Sequence, residues 1–146
     1  MKKNWLPQRS PFGLIQEDFF PDQWKTLIIC MMLNRTSRKQ VEKVIKVFFE
    51  LWSTPQSFIS ADKQTIVEVC KSLGFANRRT DNMLKMTKEY VENRWTHVKE
   101  LPGIGEYASR SWEIFYCDNL GSEEPNDHAL TNYYKWKKRN GKEKNR

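Results

Sequence analysis

Apolar residues recur at helical spacing along most of the chain, and no stretch alternates in the manner of a half-buried strand. Trp24, Leu27, Ile28, Met31 and Met32 mark one such segment, which Asp22 can cap and Asn34-Arg35-Thr36 ends. Ser37 opens a second, where Val41, Val44, Ile45, Phe48, Phe49 and Trp52 form one stripe halted at Thr54-Pro55. A shorter helix carries Ile66, Val67, Val69, Cys70 and Leu73 and stops at Gly74, read as a left-handed cap that leaves Phe75 at the start of a loop. Asn77 opens a helix with Met83, Leu84, Thr87, Tyr90 and Val91. After Trp95 the chain reaches Leu101-Pro102-Gly103-Ile104-Gly105, then a helix from about Glu106 burying Ala108, Trp112 and Phe115, with Tyr116 a further candidate. Residues 121–125 read as a loop, and Asp127 begins a last helix with Leu130, Tyr133 or Tyr134, and Trp136. Residues 1–21, broken by Pro7, Pro11, Gly13 and Pro21, read as an irregular apolar lead-in expected to wrap the core. The pattern predicts an all-α fold of six or more helices without an internal repeat.

Composition bounds this picture. A chain of 146 residues with 38% hydrophobic and 13% aromatic content can bury a core as one domain. Of the net charge of +7, +6 lies in residues 135–146, where seven Lys or Arg face Glu143 alone. The body is therefore nearly neutral, and basicity by itself identifies no DNA-binding face. The expected division is a folded domain over residues 1–139 and a basic, disordered tail over 140–146. Cys30, Cys70 and Cys117 are odd in number, widely spaced and set in apolar runs, the pattern of reduced, buried thiols. Without a Cys-x-x-Cys, and with His97 and His128 isolated, no metal site, iron-sulphur cluster or cofactor is expected. The longest apolar run, residues 27–33, is too short to span a bilayer, and no apolar signal core follows the basic N-terminus. These features predict a soluble protein with no membrane partner.

The candidate chemistry begins at Gly103, Ile104 and Gly105. Two glycines permit positive φ and close approach of an anion, and the helix that follows adds the positive end of its dipole, so the turn can grip a DNA phosphate. Such a grip carries no sequence information. On residues 101–105 alone an ordinary turn between helices is equally acceptable. Asp127, at a helix start, should be ionised, and a fixed anion beside a sugar lowers the barrier to breaking a base–sugar bond with oxocarbenium character. Taken alone, Asp127 is more simply an N-cap.

The combination carries more. Leu101-Pro102-Gly103-Ile104-Gly105, an apolar helix and then Asp127-His128 resembles the helix-hairpin-helix superfamily of DNA glycosylases. Residues 10–17 (Ser-Pro-Phe-Gly-Leu-Ile-Gln-Glu), residues 33–37 (Leu-Asn-Arg-Thr-Ser) and Pro125-Asn126-Asp127-His128 are more closely similar to glycosylase domains of the methyl-CpG-binding domain protein four type. This likeness runs from about Trp5 to Trp136. It implies two helical lobes flanking a cleft, a monomer, residence in the nucleus, and action on thymine or uracil opposite guanine in double-stranded DNA. Asp127 matches the catalytic aspartate. Gln16 matches a base-pocket glutamine whose amide suits the carbonyl and N3–H edge of a flipped pyrimidine.

Tyr107 matches a pocket tyrosine and stands where strand-cleaving relatives carry a lysine. A phenol cannot form a Schiff base, so base release without strand cutting is implied. Arg35 matches the side chain that fills the space left by the extruded nucleotide, and Phe75 is placed like an apolar wedge. Ala129 departs from the family pattern, which has a lysine there, and removes one phosphate or substrate contact. Two other readings remain at this stage: a non-catalytic DNA-binding module that uses the hairpin only as a grip, and a glycosylase that also cuts the strand.

Overall fold

The structure is a computed structural model, and it describes residues 15, 19, 22–116 and 135–137. Among them it is all-α. The order is α1 (Gln23–Leu33), α2 (Arg38–Leu51), α3 (Pro55–Ile59), α4 (Lys63–Cys70), a 3-10 turn (Lys71–Leu73), α5 (Ala76–Glu92), a second 3-10 turn (Val98–Glu100) and α6 (Glu106–Tyr116). Residues 135–137 are also helical.

Capping chemistry sets most of these boundaries. The Asp22 carboxylate accepts the Lys25 N–H at 3.0 Å and starts α1. Ser37 and Gln40 form a reciprocal capping box at α2, as Thr54 and Ser57 do at α3. Thr54-Pro55, expected only as a stop, thus also begins a helix: Pro55 sits in the first turn of α3, where a missing N–H costs nothing.

α1 is apolar almost all round, with Trp24, Leu27, Ile28, Ile29, Cys30 and Met32 buried. Such a helix must be surrounded, and α2, α5 and α6 all pack against it. α2 shows the opposite pattern, a single buried stripe of Val41, Val44, Ile45, Phe48 and Phe49. Phe48, Phe49, Trp52, Phe58 and Trp24 meet edge-on or tilted, with ring centroids 5.0 to 6.0 Å apart. Two polar pairs lie inside: Trp24 Nε1–H donates to Thr87 Oγ1 at 2.9 Å, and the Thr26 and Tyr116 hydroxyls lie 2.5 Å apart. Of the lead-in, Ile15 is buried and Phe19 packs on Phe49 with ring centroids 5.1 Å apart.

Three sequence expectations change. Gly74 has positive φ (77°) but extended ψ (158°), and the left-handed residue is Phe75, at φ 50° and ψ 39°. Phe75 begins no loop, because it caps α5, which starts at Ala76 rather than Asn77. Arg79 and Thr80, polar residues left out of the expected α5 stripe, are buried in it. Tyr116 is buried, whereas the Phe115 side chain, the helix expected from Asp127 and the boundary between residues 139 and 140 lie outside the described residues. So does most of the terminal chain that would form one wall of the expected cleft.

Candidate nucleic-acid interface

The glycine hairpin is a type II turn. Ile104 N–H donates to Leu101 O at 3.4 Å, Pro102 takes the second position, and Gly103 takes the third with φ +78°. Its bare backbone also seats the hairpin: a Cβ on Gly103 would stand 2.9 Å from Met31 Cε and 3.3 Å from Asn82 Cβ, so the turn lies against α1 and α5. Leu101 is buried below it and Ile104 packs half-buried on the core.

Gly105 does something different. Its carbonyl accepts the Ser109 N–H at 3.0 Å, the first bond of α6, and a Cβ there would meet nothing within 4 Å. As the residue preceding α6, glycine leaves the first-turn amides without a side-chain cap and open to an incoming anion. The exposed Glu106 carboxylate at the same end is favourable to the helix dipole and weakens the site for a phosphate.

The type II turn occurs a second time, after α1. Thr36 N–H donates to Leu33 O at 3.3 Å, Asn34 lies at φ −63° and ψ 114°, and Arg35 occupies the third position at φ 61°. Glycine is the residue that conformation favours, and a side chain there stores about 1 kcal/mol or more of strain. Arg35 is exposed. Phe75 is also left-handed and is 67% exposed, more than Val47 or Leu51. The side chains matched by resemblance to duplex opening therefore both sit on strained backbone.

One buried group joins these turns. Arg79 is 9% exposed and donates Nε–H to Gly74 O at 2.7 Å, Nη1–H to Met31 O and Met32 O at 3.3 and 3.4 Å, and Nη2–H to Asn34 O and Leu73 O at 2.8 and 3.4 Å. The carbonyl-rich end of α1 is a favourable place for a cation. Burial lowers the Arg79 pKa, opposed by the neighbouring Cys70. Burial pushes the Cys70 thiol up to about 11, with Arg79 pulling the other way, so it is protonated and inert at neutral pH. Sequence reading missed Arg79, although it lies at helical spacing with the buried Met83, Met86 and Thr87.

Tyr107 is the second residue of α6 and rests half-buried against the core. Gln16 and Asp127, and with them Ala129, lie outside the described residues. The hairpin, Arg35 and Phe75 are brought together: Met31 touches the hairpin, Arg79 holds Met31, and the same guanidinium reaches the Arg35 and Phe75 turns.

The entry to the hairpin is clamped as well. His97 Nδ1 accepts the Lys99 N–H at 3.1 Å, which leaves Nε2–H to donate to Glu113 Oε2 at 2.9 Å. Arg110 Nη1–H donates to Glu113 Oε1 at 2.7 Å. Burial alone would raise the Glu113 pKa, but the His97 and Arg110 hydrogen bonds and the Arg110 charge outweigh it and hold it low. Sequence reading took His97 as an isolated loop residue and missed its carboxylate partner. Among the described residues no group of His, Cys, Asp and Glu could hold a metal ion, and no helix is long and apolar enough to cross a membrane.

Residues 28–145 match the HhH-GPD family, described as a superfamily of base excision DNA repair proteins. The chain is similar to a methyl-CpG-binding domain protein 4-like protein of Arabidopsis thaliana, 40% identical over 89% of this chain but 29% of the relative. It is also similar to a thymine-DNA glycosylase of Aeropyrum pernix, 28% identical over 71% of this chain and 48% of the relative. Among solved structures, a thermostable thymine-DNA glycosylase superposes with a TM-score of 0.65 at 18% identity, covering 81% of this chain and 55% of its own. Endonuclease III trapped in a covalent DNA intermediate gives 0.58 at 19%, covering 64% and 47%. The chain thus spans about half or less of the length of the proteins it matches.

Gly103→Ala should cost about 1–3 kcal/mol of stability through its positive φ and the Met31 contact, whereas Gly105→Ala should fold almost as well as wild type. Denaturant melts of the two check this, and equal losses would contradict it. A second expectation concerns acid. Because folding lowers the Glu113 pKa, its contribution is full above the ordinary glutamate value of about 4.3 and disappears as pH falls through the lowered value. Glu113→Gln should flatten the pH dependence of the melting temperature over that acid range, and a profile unchanged from wild type would refute the clamp.

Proposed function

Because this chain belongs to the HhH-GPD superfamily of base excision DNA repair proteins, we propose that it is a monofunctional DNA glycosylase that removes thymine or uracil opposite guanine. The observation that carries this reading is the pair Arg35 and Phe75, two exposed side chains kept on left-handed backbone beside the glycine hairpin. Strain of this sort persists where function uses it. A glycosylase must take its base out of the stack, and a wobble pair is cheaper to open than a normal one. Arg35 would enter the vacated space, with its planar cation stacking on bases and bonding to phosphates, while Phe75 would wedge the neighbouring step.

With the nucleotide extruded, Gln16 would read the pyrimidine edge and Tyr107 would line the pocket. Asp127 would stabilise positive charge developing on the sugar and orient a water molecule. The base–sugar bond breaks with its electron pair leaving on the base, water adds to the sugar carbon, and the water proton is given up to solvent or the departing base. Tyr107 offers no amine, so the product is an intact strand with an abasic site. Relatives named as thymine-DNA glycosylases support the substrate class. Action in the nucleus belongs to the same proposal, and imaging of the tagged protein in its own cells checks it: exclusion from the nucleus would sink that part.

A single-turnover assay on a labelled duplex with one T·G or U·G mismatch tests the chemistry. Strand breaks should appear only after hot alkali, and Asp127→Asn should slow base release by a factor of about 100 or more. Breaks without alkali would overturn the monofunctional assignment. Full activity in Asp127→Asn would overturn the mechanism, and no product from wild type in either lane would favour a non-catalytic DNA-binding module.

A further inference from the structure

Arg78 and Arg79 are neighbours on α5, yet Arg78 is exposed while Arg79 is turned inward. The contacts of Arg79 fall at particular places. Asn34 O, held at 2.8 Å, belongs to the peptide group leading into Arg35, and Gly74 O, held at 2.7 Å, belongs to the peptide group leading into Phe75. A type II turn becomes a type I turn when its central peptide flips, and the flip would return Arg35 to ordinary negative φ. The flip would reverse the Asn34 carbonyl and break its bond to Arg79. The peptide before Phe75 is held in the same way.

We infer that Arg79 is a positioning residue for duplex opening: one buried guanidinium locks the two peptide groups that aim Arg35 and Phe75. This rests on the reading of those two side chains given under Proposed function. A guanidinium can do this because its five donors spread in a planar fork and reach carbonyls on both sides, whereas a lysine ammonium is a single point. Among the described residues no side-chain hydrogen bond or ion pair holds Arg35 or Phe75, so their direction comes from the backbone.

The test is a ratio that a purely structural role would not move. Wild type, Arg79→Lys and Arg79→Gln are titrated against a matched duplex and against one carrying a tetrahydrofuran abasic analogue opposite guanine, well below their melting temperatures. The matched duplex reports phosphate gripping, and only the abasic duplex offers a gap for Arg35 and Phe75. Arg79→Lys should lower the preference for the abasic duplex by about tenfold or more with little change on matched DNA.

Added to Arg35→Gly, Arg79→Lys should lower the preference by much less, since part of what it aims is already gone. An unchanged preference, or the same loss with and without Arg35, would overturn the inference. Should Arg79→Gln not fold, the lysine variant and the Arg35→Gly cycle decide. Base release by wild type is followed on a U·G duplex in parallel. A wild-type chain that prefers the abasic duplex but releases no base would sink the glycosylase reading alone, and one that releases base without that preference would sink the role of Arg79 alone.

Discussion

A guanidinium withdrawn from water must have its N–H groups met, and the arrangement of this protein follows from how Arg79 meets that demand. Its acceptors are the carbonyls at the end of α1 and at the turn before α5, so two pieces of chain far apart in sequence are drawn to one side chain. Leaving such a charge buried and unpaired would cost several kcal/mol. The demand therefore fixes loop geometry more tightly than packing of short turns would.

The hairpin depends on the same region. Because α1 is apolar on nearly every face, it can serve as a central post, and its last turn meets α5 on one side and Gly103 on the other. At the far edge, Trp112 Nε1–H donates to Gln23 Oε1 at 3.0 Å and ties α6 to the start of α1. The turn that would grip a backbone phosphate and the turns that would enter an opened pair are thus referred to one rigid helix, which suits a task needing several contacts on a duplex at once.

Much of the fold was legible in the sequence because its signals are local. The Asp22 cap, the Ser37 start and the stripes of α1, α2 and α6 are matters of spacing within a few turns. Thr54-Pro55 shows the limit of such signals, since the same pair can end one helix and begin the next. The hairpin was legible because Pro102 and Gly103 together specify a type II turn. The left-handed state of Arg35 was not, because nothing about arginine favours it and the contacts that hold it come from α5. Arg79 was missed for the same reason: a buried arginine looks like a surface one until the carbonyls facing it are known. The roles given to Asp127 and Gln16 rest on family likeness, and both residues lie outside the described residues.

Two turns of one shape carry different residues at their third position. At Gly103 the lack of a side chain lets a neighbouring helix come flush against bare main chain, and any substituent would prise the two apart. At Arg35 the same curve sends a long charged arm away from the body. A single backbone motif thus works as a socket in one place and as a probe in the other, and exchanging the two residues would spoil both uses without changing the outline of either loop.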